Sequence, residues 1–229
     1  MKVDLKLLQE KIQYQFHNEE LLIQALTHSS FSHEMTVRRR PDYERLEFLG
    51  DAVLELVSSE YIFHTYPQMS EGNMTKLRAG AVCEPALAHC ANKLELGKFL
   101  YLGKGEECGG GRKRESIIAD VMEAIVGAIF LDSGIEEAKN FIMTYILADM
   151  ETNKMFYDSK STLQEIVQKK GSARLEYTVL EEKGPEHQKE FVVAVNLNGD
   201  RLGVGTGKNK KAAEQKAAYE ALLKMKKNK

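Results

Sequence analysis

Between Ile117 and Leu131 every residue is apolar or glycine except Asp120 and Glu123. A helix that is hydrophobic nearly all round cannot lie on a surface with one face in water; other elements must wrap it, so the chain has to build a helical core around this segment. It is no membrane span, because 15 residues with two charges fall short of the about 20 apolar residues a bilayer requires. Burying a lone carboxylate costs several kcal/mol unless it is paired, protonated or bound to a metal. Asp120 and Glu123 stand three apart and point to one side of the helix. Either Arg or Lys from elsewhere answers them, or a metal does.

A second acidic segment precedes it. Wound at about 100° per residue, Glu44-Arg45-Leu46-Glu47-Phe48-Leu49-Gly50-Asp51 sets Glu44, Glu47 and Asp51 on one stripe, continued by Glu55. Leu46, Leu49, Val53, Leu56 and Val57 fall on the opposite side. No Lys or Arg shares the acidic stripe, although like charges at this spacing cost a helix a few tenths of a kcal/mol per pair. Alone, the segment reads as a solvated acidic face. Taken with Asp120 and Glu123, it reads as half of a site, since two helices that each offer two carboxylates at offsets of three or four form one oxygen cluster when packed face to face. All-oxygen ligation suits Mg²⁺ or Mn²⁺ rather than zinc. Such a cluster best serves hydrolysis or transfer at phosphate, where the ion activates water and neutralises charge on the leaving oxygen.

Taken in order, the pattern predicts helices around Leu5, Leu8 and Ile12 and from Asn18 to Thr27, then a turn at Thr27–Ser30 in which His28 is a structural hydrogen-bonding group. Phe31–Arg40, ending in three arginines, reads as a surface loop. Asp42 is the expected N-cap of the acidic helix, which Pro67 stops after Tyr66. Ser70 caps the next helix, and another follows Glu84-Pro85 over Ala86–Lys93. Gly103–Arg114 lacks the Gly-Lys-Ser/Thr ending of a phosphate loop and reads as a flexible loop closed by the basic run Arg112-Lys113-Arg114. An amphipathic helix over Glu136–Met150 closes the domain, and residues 151–158 form a linker.

The remainder, 159–229, changes character. It holds 15 Lys and Arg against 9 Asp and Glu, a net of +6; subtracting these from chain totals of 32 and 34 leaves 17 and 25, a net of −8, for residues 1–158. Such asymmetry points to two domains with different partners, cations for the first and a polyanion for the second. A short helix over Ser161–Lys169 is followed by strands at Arg174–Glu181, Glu190–Asn198 and Arg201–Gly205, a hairpin turn at Asn198-Gly199-Asp200, and a helix over Lys210–Met225. The order is αβββα, a small α+β unit. Lys208, Lys210 and Lys211 crowd the start of the last helix, where cations oppose the macrodipole, and they make sense facing phosphates. With 229 residues, 43% of them hydrophobic, the chain suits one or two soluble domains. Its first residues lack the apolar run of a signal peptide, so it reads as cytoplasmic. Cys83, Cys90 and Cys108 form no CxxC pair and read as reduced cysteines without a special role.

These motifs together resemble one family. Glu44-Arg-Leu-Glu-Phe-Leu-Gly-Asp51 followed by Ala-Val-Leu is similar to the signature of bacterial ribonuclease III, and Arg114-Glu-Ser-Ile-Ile-Ala-Asp120-Val-Met-Glu123-Ala-Ile to its second acidic segment. Thr162-Leu-Gln-Glu165, Gly184-Pro-Glu-His187 and Gly207-Lys-Asn-Lys-Lys-Ala-Ala-Glu214 resemble a double-stranded-RNA-binding domain. The resemblance implies an all-α endonuclease domain at 1–150, the linker at 151–158, and the αβββα RNA-binding domain at 159–229. It also implies a Mg²⁺-dependent endoribonuclease, with Mn²⁺ able to substitute, that cuts double-stranded RNA to staggered 5′-phosphate and 3′-hydroxyl ends. Processing of rRNA precursors and mRNA follows from the same likeness. Glu47, Asp51, Asp120 and Glu123 match the metal ligands, Asp51 and Glu123 among them the catalytic carboxylates; Glu44 and Glu71 match positions that place RNA near the cut. Phe48 matches an aromatic residue that enters a pocket of the partner in a homodimer. In the RNA-binding domain, Ser161, Gln164, Glu165 and Gln168 are implied for one minor groove, His187 for the next, and Lys208, Lys210 and Lys211 for the phosphates between. No membrane and no organic cofactor is implied. The competing reading is a non-catalytic duplex-RNA-binding protein of the same fold.

Overall fold

The computed structural model describes residues 3–34, 40–148, 150, 159–169, 174–183, 189–207 and 209–227, and divides into two compact units, Met1–Met150 and Glu151–Lys229. The first is helical: α1 Leu5–Lys11, α2 Glu19–Ala25, α3 Ser29–Glu34, α4 Glu44–Thr65, α5 Glu71–Val82, α6 Glu84–Lys93, α7 Lys104–Cys108, α8 Glu115–Ser133 and α9 Ile135–Ile142, with 3₁₀ turns at Leu96–Phe99 and Gly111–Lys113. The apolar segment identified above lies within α8, and from Ile117 to Ile129 it is buried at every position except Asp120 and Glu123, which are half-buried. Around it pack Leu22 of α2 and Leu26 just after it, Leu46, Leu54 and Val57 of α4, Leu87 and Ala91 of α6, and Phe141 of α9. Among the described residues no helix is long and apolar enough to cross a membrane.

The two acidic helices meet backbone to backbone. A Cβ added to Gly50 would lie 1.8 Å from the Glu123 carbonyl oxygen, and one added to Gly127 would lie 2.2 Å from that of Leu46. Only glycine permits this approach, which sets the stem of Glu123 against the α4 turn between Glu47 and Asp51.

Several boundaries differ from the sequence reading. Phe31 and its neighbours belong to α3 rather than to a loop; residues 35–39, including Arg38 and Arg39, lie outside the described residues. Asp42 does not cap α4 in the expected way: Tyr43 holds the N-cap position, and Asp42 Oδ1 accepts from the Glu44 N–H at 3.3 Å. Ser70 holds the N-cap position of α5 as expected, but without a side-chain capping bond. Gly103–Arg114 is no free loop, because Glu106 and Glu107 on α7 fold back onto Arg114 at 2.8 Å and Arg112 at 2.6 Å. The closing helix is not uniform: α9 passes into a π-helical turn at Met143–Leu147. Leu56 was expected inside with Leu46 and Val53, yet it is 63% exposed. Cys83, Cys90 and Cys108 form no disulfide, and Cys90 is buried.

The second unit comprises α10 Ser159–Lys169, β1 Leu175–Lys183, β2 Glu190–Leu197, β3 Asp200–Gly207 and α11 Lys210–Lys227. Its antiparallel sheet runs β1-β2-β3, with Tyr177 opposite Val195 and Val193 opposite Gly205. A register shift between Val179 and Glu181 bulges β1. Asn198 and Gly199, both at positive φ, make the β2–β3 turn, the left-handed pair a two-residue hairpin loop demands. Leu163, Val167, Val195, Ala217, Ala218, Ala221 and Leu222 form the core between sheet and helices. Gly203, Gly205 and Gly207 alternate along β3, and a Cβ on each would meet the α11 backbone within 2.2–2.6 Å. The 151–158 linker lies outside the described residues.

Candidate active site

The shared α4–α8 contact brings four carboxylates within reach of one another's charge. Burial is the first cause that raises the Glu123 carboxyl, to about 8, and the charges of Asp51, Glu47 and Asp120 follow. Glu47 is also raised, first by burial, then by Asp120, Glu44 and Asp51. Burial raises Asp120, against a lowering hydrogen bond from Tyr43; the charge of Glu84, first residue of α6, adds to the rise and His28 opposes it. Asp51 and Glu44 are exposed at the rim. Among the described residues, no Lys or Arg forms an ion pair with any of these five. Glu55, which the sequence placed on the same stripe, does have a countercharge: Arg78 of α5 approaches it to 3.9 Å.

The donor set fits a hard divalent cation. It is all oxygen, carries several negative charges without a described Lys or Arg countercharge, and is partly withdrawn from water, conditions under which a bound cation offsets both desolvation and repulsion. Among the described residues no group of three or more His, Cys, Asp or Glu side chains stands close enough together to hold a metal ion as they lie.

Glu71 opens α5, where its Oε1 accepts from the Thr75 hydroxyl at 3.0 Å. It lines an apolar groove of about 400 Å³ with Leu56, Phe63 and Met74, whose walls include none of the four carboxylates. Phe48 projects from α4 and is 81% exposed. Phe48, Ala52, Leu56 and Phe63 follow one another at helical offsets of four, four and seven, so α4 carries an outward apolar stripe beside its acidic one.

In the second unit, Ser161, Gln164, Glu165 and Gln168 form one exposed polar face of α10, opposite the buried Leu163 and Val167. Asn209 caps α11, its side chain accepting from the Ala212 N–H at 2.8 Å. Lys211 is exposed, whereas Lys210 is engaged: its Nζ lies 3.2 Å from Glu182 and 5.5 Å from the Phe191 ring centroid. His187 and Lys208 lie outside the described residues.

Sequence reasoning missed Tyr43, whose hydroxyl donates to Asp120 at 3.3 Å, as well as Glu84 and the glycine contact. Only the glycines left a signal, as helix-breaking residues inside two long helical patterns. His28 keeps the structural bond expected of it, to Ser30 Oγ at 2.8 Å, while also facing the Tyr43 ring.

Fold and site together define a class, an all-α nuclease domain followed by a double-stranded-RNA-binding αβββα domain. Residues 18–150 match the ribonuclease-III-like family, and 159–225 match the double-stranded RNA binding motif. Ribonuclease 3 of Bacillus cereus strain AH820 is 52% identical over 223 residues, spanning 96% of this chain and 91% of its own length, and Ribonuclease 3 of Bacillus anthracis gives the same values. The nuclease domain of ribonuclease III from Campylobacter jejuni superposes with a TM-score of 0.59 at 44% identity, over 62% of this chain and 96% of that one. The chain belongs to the ribonuclease III family.

Proposed function

We propose that the protein is a Mg²⁺-dependent endoribonuclease that holds duplex RNA on its second domain and cuts it at the α4–α8 cluster. As a member of its family it is an endoribonuclease; the metal, the site residues and the end chemistry are the proposal. The observation that carries it is the cluster itself. Glu47, Asp51, Asp120 and Glu123 converge from two helices whose glycines bring the backbones into contact, and among the described residues no Lys or Arg forms an ion pair with them. A bound Mg²⁺ or Mn²⁺ would supply an activated water and charge neutralisation at the departing 3′-oxygen, leaving a 5′-phosphate.

Glu123, whose carboxyl burial pushes up to about 8, gains negative charge when its proton gives way to a cation. Asp51 and Glu44, at the rim, sit where the phosphate backbone approaches. The exposed face of α10, Ser161 to Gln168, is assigned to a minor groove, and Lys211 to phosphate. Polar side chains suit A-form RNA, read by shape and 2′-hydroxyls over about 16 base pairs. Lys210 reaches phosphate after exchanging Glu182 for it. The apolar stripe with Phe48 at its head is assigned to a second copy of the chain. The Campylobacter jejuni nuclease domain is described with a region involved in dimer formation, which supports a homodimer without naming its surface.

The test is direct. Purified protein with long duplex RNA should give short 5′-phosphorylated fragments in Mg²⁺ and none in EDTA. Intact RNA in both, with duplex binding retained, would instead establish the non-catalytic binding protein.

A further inference from the structure

Tyr43 reaches the acidic cluster from outside it. Its hydroxyl donates to Asp120 Oδ2 at 3.3 Å, across 77 positions of sequence. The residue is 4% exposed, so this is an internal bond rather than a chance contact at the surface. Its backbone is fixed at both ends. The N–H donates to the Thr27 carbonyl at 2.9 Å, and the carbonyl accepts from the N–H groups of Leu46 and Glu47 at 2.8 and 2.9 Å. Tyr43 therefore starts the helix that carries Glu44, Glu47 and Asp51 while its side chain touches the helix that carries Asp120 and Glu123.

A second layer supports the ring. The His28 ring meets it edge-on, with centroids 5.7 Å apart. His28 is held in turn: its N–H donates to the Tyr101 carbonyl at 3.1 Å and its Nδ1 lies 2.8 Å from Ser30 Oγ. Tyr101 donates back to the Leu26 carbonyl at 2.9 Å and bridges Thr27. A frame of main-chain bonds thus stands behind one phenol.

Asp120 has reason to need it. The carboxylate faces the like charges of Glu47 and Glu84, opposed on one side by His28, and that repulsion would turn an unanchored side chain away from the cluster. A donor on one carboxylate oxygen fixes the plane of the group and leaves the other oxygen free, the usual way an outer partner orients a metal ligand. We propose that Tyr43 is a positioning residue for Asp120, its hydroxyl holding Oδ2 so that Oδ1 is presented to the divalent cation. This rests on the reading of the four carboxylates as a cation site.

The experiment uses the full chain with Tyr43→Phe, which removes the hydroxyl and keeps the ring. Mn²⁺ is titrated calorimetrically without RNA, and the Mg²⁺ dependence of duplex cleavage is measured in parallel. The expected result is a roughly tenfold weaker Mn²⁺ affinity and a matching rise in half-saturating Mg²⁺, with the rate at saturation within about threefold of the parent. Thermal midpoint and metal-free duplex binding should stay with the parent. A tyrosine needed only for packing would lower the midpoint and leave both titrations in place, and titrations that coincide with the parent's overturn the proposal. So does a collapsed saturating rate at unchanged half-saturation. In the Asp120→Asn background, Tyr43→Phe should add no further loss of Mn²⁺ affinity, since the hydroxyl acts through that carboxylate. Should Tyr43→Phe fail to fold, His28→Leu must shift the Mn²⁺ titration in the same direction, and an unshifted one overturns the role. Glu123→Gln separates the two levels: parental cleavage there removes the cation site and this inference with it. An inactive Glu123→Gln beside an unshifted Tyr43→Phe removes the positioning role alone.

Discussion

Glu123 is the residue at which burial and charge act most strongly in one direction. Its carboxyl, raised to about 8, holds its proton through neutral pH in the metal-free protein. A carboxyl whose folded pKa lies above its unfolded value gives the folded state an extra proton, so its contribution to stability is complete below the unfolded pKa of about 4.3 and is lost as pH rises through about 8. The metal-free protein should therefore lose thermal stability over that window. Glu123→Gln, which keeps the shape and cannot ionise, should flatten the loss while abolishing cleavage, as melting curves at pH 5 and pH 8 would check. Cation and proton compete for one group, so Mg²⁺ affinity should rise between pH 6 and 8, by up to about tenfold per unit. A pH-independent affinity in that range would remove Glu123 from the ligand set. The residue types were legible from sequence, since carboxylates inside an apolar run demand an explanation. Their unequal ionisation was not, because it depends on how deeply each side chain sits and which others it faces.

At the level of elements, the α4–α8 crossing carries the site. Gly50→Ala would drive a methyl group into the Glu123 backbone, which cannot yield as a side chain can, and should cost about 1–3 kcal/mol in urea unfolding. It should weaken cleavage too, because α8 has to move away from Glu47 and Asp51. Gly80 on α5 supplies the contrast: a Cβ there meets nothing within 4 Å, so Gly80→Ala should stabilise by up to about 1 kcal/mol through helix propensity. Equal effects of the two substitutions would mean that the crossing is not set by glycine. The sequence showed two acidic helices, and their packing face to face was an expectation from charge. Nothing in either segment announced which residues touch, since a helical glycine reads the same whether it faces water or another backbone.

For the whole molecule, the open question is what covers the apolar stripe of α4. Phe48 at 81% exposure and Leu56 at 63% on one helix face are an unusual surface for a lone chain, and a specific dimer typically buries at least about 1,000 Å². Phe48→Glu should halve the mass measured by light scattering while leaving the helical content unchanged. An unaltered mass would place the interface elsewhere. Both units were visible as a change of periodicity and of charge near residue 158, because helices repeat at 3.6 residues, strands at two, and each unit has to complete its own core.

By itself the sequence determined what is local: the helical stripes of α4 and α8, the order αβββα, the Asn198-Gly199 turn, and the acidic residues poised at offsets of three and four. Each follows from backbone sterics and from which side of an element is apolar. Tertiary structure alone decided which partners those side chains meet. It gave Glu55 the guanidinium of Arg78 and Lys210 the carboxylate of Glu182, while Glu47 and Glu123 face other carboxylates instead. It turned Leu56 outward and set the Tyr43 hydroxyl on Asp120. Periodicity fixes the direction in which a side chain leaves its helix; the charge and solvent it finds there belong to elements dozens of residues away.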